Sequence, residues 1–95
     1  MDRFLVLVKL RLSQPYLHWQ TCFDADREAR EAAGIESVFR AAVIGEQAAI
    51  YAVRTSTPRI VNDFIYDPAK RVEIEESGFV VGSEEITVCE EPRHG

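Results

Sequence analysis

No apolar run in this chain is long. The opening one, Phe4 to Val8, covers five residues before Lys9 interrupts it, too short for a signal-peptide core or a membrane span. Cysteine is scarce. Cys22 and Cys89, 67 positions apart, form neither a metal nor a redox motif and give no disulfide framework. Reduced thiols are then the default, and a cytoplasmic location in a reducing compartment is expected. Clustered positive charge is missing too. The formal net charge is −5, whereas affinity for phosphates comes from grouped Lys and Arg, so neither a nucleic-acid nor a membrane partner is expected. The sequence has no Gly-rich phosphate loop, nucleophile elbow or Cys-x-x-Cys pair, and no internal repeat or low-complexity stretch.

What is present is ordinary globular material: 95 residues, 46% hydrophobic and 28% charged, a composition that argues against disorder. A single domain over residues 1–91 with a short tail at 92–95 is expected. Charge is unevenly placed. Residues 1–71 hold 10 basic and 9 acidic side chains, and residues 72–95 hold 1 and 7. A solvated face is the simple reading of that acidic end.

Residues 3–12 alternate with period two, placing Phe4, Val6, Val8, Leu10 and Leu12 on one face and Arg3, Leu5, Leu7, Lys9 and Arg11 on the other. The second face has an apolar centre and charged ends, which calls for cover from a second subunit. Ser13 and Pro15 predict a helix start, and Gly34 its left-handed end. Tyr16, Trp19, Cys22, Phe23, Ala29 and Ala33 form one stripe of that helix, with Asp26 inside the stripe and Arg30 beside it. Residues 36–44 and 47–54 read as strands joined by a tight hairpin at Gly45-Glu46. Ser56-Thr57-Pro58 starts a second helix, Asp67-Pro68 breaks or restarts it, and Ser77-Gly78 ends it. Residues 84–90 alternate again as a last strand. The order βαββαβ is the α+β, ferredoxin-like arrangement: a four-stranded antiparallel sheet with two helices on one face and the other face open. Stacking two open faces would cover Leu5 and Leu7 in a homodimer.

The segments Trp19-x-x-x-Phe23-Asp24-x-Asp26, Ala33-Gly34-Ile35, Phe64-Ile65-x-Asp67-Pro68, Ser77-Gly78 and Glu84-Glu85-Ile86 follow one another in a recognisable rhythm. In these the chain resembles small uncharacterised members of the dimeric α+β barrel superfamily, distantly related to antibiotic-biosynthesis-monooxygenase-like proteins. The resemblance implies the fold and the dimer more than a chemistry, because the superfamily hosts cofactor-free monooxygenases, haem-degrading enzymes, isomerases, polyketide cyclases and modules without known activity. Residues 58–77 hold no histidine, so the late-helix haem ligand of the haem-degrading branch has no counterpart here. No cofactor is expected.

Five residues stand out as candidates. Asp26, a carboxylate on an apolar stripe, is either an acid or base in a cleft or an ion-pair partner of Arg30 at i+4 or of Arg40 on a neighbouring strand. The i,i+4 spacing favours the pair. His18 is the other acid–base candidate, as the residue type whose charge changes nearest neutral pH; with Cys22 at i+4 it supplies two metal ligands, too few for a site. Trp19 is either the wall of an aromatic pocket or core. Arg40 and Tyr51 line a pocket if they face the helices, where they would hold an anionic or carbonyl group, and are dimer contacts if they face the partner subunit. The enrichment of Arg and Tyr at interfaces favours the dimer contact. The function expected is a homodimeric module binding a small molecule or partner. The alternative is a cofactor-free enzyme of monooxygenase, isomerase or cyclase type acting on a small carbonyl or aromatic metabolite. A purely structural role is the third reading.

Overall fold

The computed structural model describes residues 3–91, so the tail anticipated at 92–95 lies outside the described residues. Strand β1 (Arg3–Arg11) is central, pairing antiparallel with β3 (Ala48–Thr55) on one side and β4 (Glu85–Glu91) on the other, while β2 (Glu36–Ala42) borders β3. The resulting order β2-β3-β1-β4 is the ferredoxin-like sheet that the element order predicts. The period-two split of β1 is realised in burial. Val6, Val8 and Leu10 are sealed with Leu12, whereas Leu5 and Leu7 keep partial exposure.

Among the described residues four α-helices stand where two were expected. The first run is α1 (Tyr16–Ala25) and α2 (Arg27–Ala32), interrupted at Asp26, whose φ of −92° and ψ of 7° leave the helical region. Asp26 N–H reaches back three residues to Phe23 O, and the ladder resumes when Arg30 N–H donates to Asp26 O at 3.0 Å. Ser13 is not the cap. Its N–H and hydroxyl both donate to Gly78 O, and Gln14 precedes a proline, so the helix begins after Pro15 with no side-chain cap. The predicted stop at Gly34 holds. At φ 84° it lets Gly34 N–H donate to Glu31 O and Ile35 N–H to Arg30 O, the paired bonds of a Schellman end.

The second run is α3 (Arg59–Ile65), a 3₁₀ turn at Pro68–Lys70 and α4 (Arg71–Glu76), so Asp67-Pro68 restarts the helix as expected. Asp67 Oδ1 caps the turn by accepting from Ala69 N–H. Helix α3 has no side-chain cap from Ser56 or Thr57; in the turn ahead of it the Thr55 hydroxyl accepts from Thr57 N–H. The β2–β3 hairpin is also wider than expected. Val43 N–H still donates to Ala48 O, and the turn proper closes from Glu46 N–H to Val43 O with Gly45 at φ 81°.

The helices cover the face that carries Val6, Val8, Leu10, Tyr51 and Val53. The core joins these to Trp19, Ile35, Val61, Ile65 and Phe79 and draws nothing from Leu5 or Leu7. On the opposite face, cross-strand pairing places Leu7 beside Ala52 and Thr87, Ala52 beside Phe39, and Leu5 beside Cys89. Ion pairs rim it: Arg3 with Glu36, Arg54 with Glu91 at 2.6 Å, and Lys9 with Glu46. No helix among the described residues is long and apolar enough to cross a membrane.

Candidate functional site

A cleft of about 320 Å³ opens between α1, the α3–α4 run and the covered face of the sheet. Its size is at the lower end of the ~300–1,000 Å³ typical of small-ligand sites. Trp19, Phe23, Tyr51, Phe64 and Phe79 give it aromatic walls, and Ile65 and Ile74 fill between them. The helical spacing of Trp19 and Phe23 puts both rings over the sheet. They stack with centroids 4.7 Å apart, and Phe23 lies 4.8 Å from Tyr51. Trp19 is therefore part of the core and also borders the cleft.

Tyr51 and Arg40 sit opposite each other across β2 and β3, and Tyr51 pairs with the sealed Val8 of β1. Both therefore face the helices, which corrects the preference for an open-face contact. The signal lay out of reach of the alternation in residues 36–44, because pairing slips between Ser37 and Phe39 and such an irregularity exchanges faces. Only Tyr51 reaches the cleft. Its burial pushes the phenol well above its ordinary value, so it stands there as a neutral donor. Arg40 instead makes a bidentate pair with Asp24, Nε to Oδ1 at 2.7 Å and a terminal nitrogen to Oδ2 at 2.8 Å. That hydrogen bonding holds the Asp24 carboxyl below the usual carboxylate range.

Asp26 lines the cleft at the break between α1 and α2, but neither expected partner reaches it. Arg40 is taken by Asp24, and Arg30 turns the other way. The cation beside Asp26 is Lys70, with Nζ 3.6 Å from Oδ1. Lys70 also stands 3.8 Å from Glu73, a second carboxylate of the cleft wall, and above the Phe64 ring. His18 is not among the cleft residues. Its Nε2 bonds Glu76 O at 2.9 Å and lies 3.9 Å from Cys22 Sγ, and only Cys22 of the two borders the cleft. No group of metal-ligating side chains forms among the described residues.

Arg30 is the site residue that the sequence reading did not single out. It is 5% exposed and lines the cleft. The break at Asp26 and the Schellman end at Gly34 fix its backbone, and the side chain lies with Cζ 3.6 Å from the Phe23 centroid. One terminal nitrogen donates to Phe23 O at 2.7 Å and the other to Ser37 Oγ at 3.3 Å. Burial lowers its pKa, opposed by the charges of nearby groups including Asp26 and Asp24, yet arginine stays protonated at neutral pH. The one hint in the sequence was its position beside the apolar stripe.

No known family model and no curated protein matches the sequence. Solved structures do share the fold. A monooxygenase from Streptomyces coelicolor in complex with nanaomycin D superposes with a TM-score of 0.58 at 16% identity, covering 99% of this chain and 90% of that one. A cofactor-independent oxygenase from Streptomyces nogalater does so at 0.58 and 9%, covering 100% and 97%. A dabb-family protein with a ferredoxin-like fold from Mesorhizobium loti gives 0.52 and 9%, covering each chain fully (100% and 100%). At these identities the likeness establishes the ferredoxin-like fold.

Proposed function

We propose that this chain is a small-ligand-binding module whose ligand is a flat aromatic molecule held in the α1–α4 cleft. The observation that carries this reading is the aromatic wall of Trp19, Phe23, Tyr51, Phe64 and Phe79 around about 320 Å³ of open space. Stacked and edge-on rings offer their faces to another ring, and polar groups among them, Arg30, Asp26 and Tyr51 with Glu73 and Glu76 beside them, would orient it. Trp19 is the chain's single tryptophan, so it reports on the cleft without interference. Titration with a panel of bicyclic aromatic compounds, charged and neutral, is expected to quench its emission saturably for some members. A panel without any saturable response would remove this reading.

The module acts as a homodimer in this proposal, joined through the open face of the sheet. Leu5, Leu7, Phe39 and Ala52 supply an apolar centre there, and the ion pairs of the rim surround it, the anatomy of an interface. Free thiols at Cys22 and Cys89 are consistent with a cytoplasmic setting.

A second reading, a cofactor-free enzyme, draws on the oxygenases that share the fold. In it Asp26 at the cleft wall takes or gives a proton, while Tyr51 and Arg30 face charge that develops on the ligand. His18 and Arg40, outside the cleft, have no direct part. The variant Asp26→Asn separates the two readings: an enzyme loses turnover and keeps its ligand affinity, whereas a binding module loses nothing but the contact with Lys70.

A further inference from the structure

Among the described residues, arginine follows a pattern with one exception. Arg3, Arg27, Arg40, Arg54 and Arg71 each meet a carboxylate at the surface, and Arg11 and Arg59 are exposed to water. Arg30 is the one described arginine that is buried, and no described carboxylate oxygen stands within 4.0 Å of it. Its Nε is also the single buried side-chain polar atom among the described residues that lacks a hydrogen-bond partner. Two of the guanidinium's five N–H donors are spent, both on neutral oxygens.

A cation withdrawn from water needs a counter-charge, and two neutral acceptors with one ring face supply only part of it. An apolar side chain of similar volume would pack the same space with less cost. The guanidinium is moreover held in place before any ligand arrives: its plane rests on Phe23, its tips are tethered to the Phe23 carbonyl and Ser37, and its backbone closes a helix end. Preorganisation of this kind favours binding, since little rotamer freedom remains to be lost. Three carboxylates also border the cleft, Asp26, Glu73 and Glu76. Lys70 stands beside the first two, and Glu73 and Glu76 are exposed to water, where their charge is screened, whereas Arg30 is buried.

We propose that Arg30 is the anion-binding residue of the cleft and that the ligand class is a small aromatic carboxylate. This deepens the aromatic-cleft reading and rests on it: the rings hold the ring, and Arg30 receives the carboxylate, the anion that best matches a planar guanidinium.

Calorimetric titration with an isosteric set tests it: 2-naphthoate, the neutral 2-naphthamide and the cationic 2-naphthylmethylamine. Wild-type protein is expected to bind the naphthoate about 10- to 100-fold more tightly than the amide, the range for hydrogen bonds to a charged group. In Arg30→Gln that preference should fall to within about threefold while amide affinity holds, and Arg30→Lys should retain part of it. Near-UV circular dichroism of Trp19 checks that the variants are folded, and the wild-type set decides the matter if they are not. Equal affinity for naphthoate and amide would overturn the role of Arg30 and leave the aromatic cleft standing. A preference for the amine would overturn it in favour of Asp26, Glu73 and Glu76. Binding of none of the three would remove the cleft reading and this inference together.

Discussion

The two faces of the sheet treat charge in opposite ways. On the open face the charges meet water and several are paired: Arg3 with Glu36, Arg54 with Glu91, Lys9 with Glu46. On the covered face a guanidinium is buried without a carboxylate in reach, among rings that surround open space. Exposed pairs add little to stability and serve to set register and partner orientation. A buried, unpaired cation is costly and persists where something else is gained. The open face thus has the character of a surface awaiting its equal, and the covered face that of a site awaiting a ligand.

Four perturbations break or sharpen this contrast. The largest effect is expected at Leu7, the centre of the open face. Leu7→Asp should convert a two-chain species into one chain in sedimentation velocity, because an unpaired carboxylate at an apolar interface costs several kcal/mol, roughly a 100-fold or greater loss of association. Far-UV circular dichroism should stay the same, since Leu7 takes no part in the core cluster. Next comes the covered face. Trp19→Ala removes a sealed ring that packs on Tyr16, Phe23 and Tyr51, and unfolding in urea should register a loss of about 3–5 kcal/mol. That is a large share of what a domain of this size possesses.

A smaller effect is expected where backbone geometry alone is at stake. Gly34→Ala meets no atom within 4 Å, so its cost of about 1 kcal/mol is the left-handed conformation itself, read as a lowered melting temperature. Because the Gly34 turn closes on the carbonyl of Arg30, the preference for naphthoate over naphthamide should weaken with it, which a loop remote from the site would not do. The smallest effect belongs to the exposed pair of Asp24 and Arg40. The folded-state pKa of Asp24 is depressed by its bond to Arg40, so the contribution of the pair is present above the unfolded carboxylate value of about 4 and is lost as pH falls through the lower folded value. The stability gap between wild type and Asp24→Asn should accordingly close on acidification; a gap independent of pH would mean that the pair is an ornament of the surface.

The same two faces explain what the sequence could and could not reveal. Strand alternation in Phe4–Leu12 needs only local periodicity, and it separated the sealed side from the open one without any knowledge of partners. Gly34 and Asp67-Pro68 are likewise local, each fixed by conformational preference. The errors arise where distant groups compete. Ser13 has cap chemistry, but Gly78, 65 positions along the chain, claims its hydroxyl. Asp26 had Arg30 one turn away, yet the cation beside it is Lys70, and the slip between Ser37 and Phe39 moved Arg40 to the helix side. Arg30 was hidden for the same reason: a carboxylate at i−4 promised a partner that the break at Asp26 and the pull of Phe23 and Ser37 deny it.

The most direct measurement of the division between the faces is native mass spectrometry of the wild-type chain and Leu7→Asp, each with 2-naphthoate. The cleft lies on the covered face, on the other side of the sheet from Leu7, so the expected spectra are two chains with two naphthoates for the wild type and one chain with one naphthoate for the variant. A wild-type monomer, or a variant that loses its naphthoate along with its partner, would contradict the account.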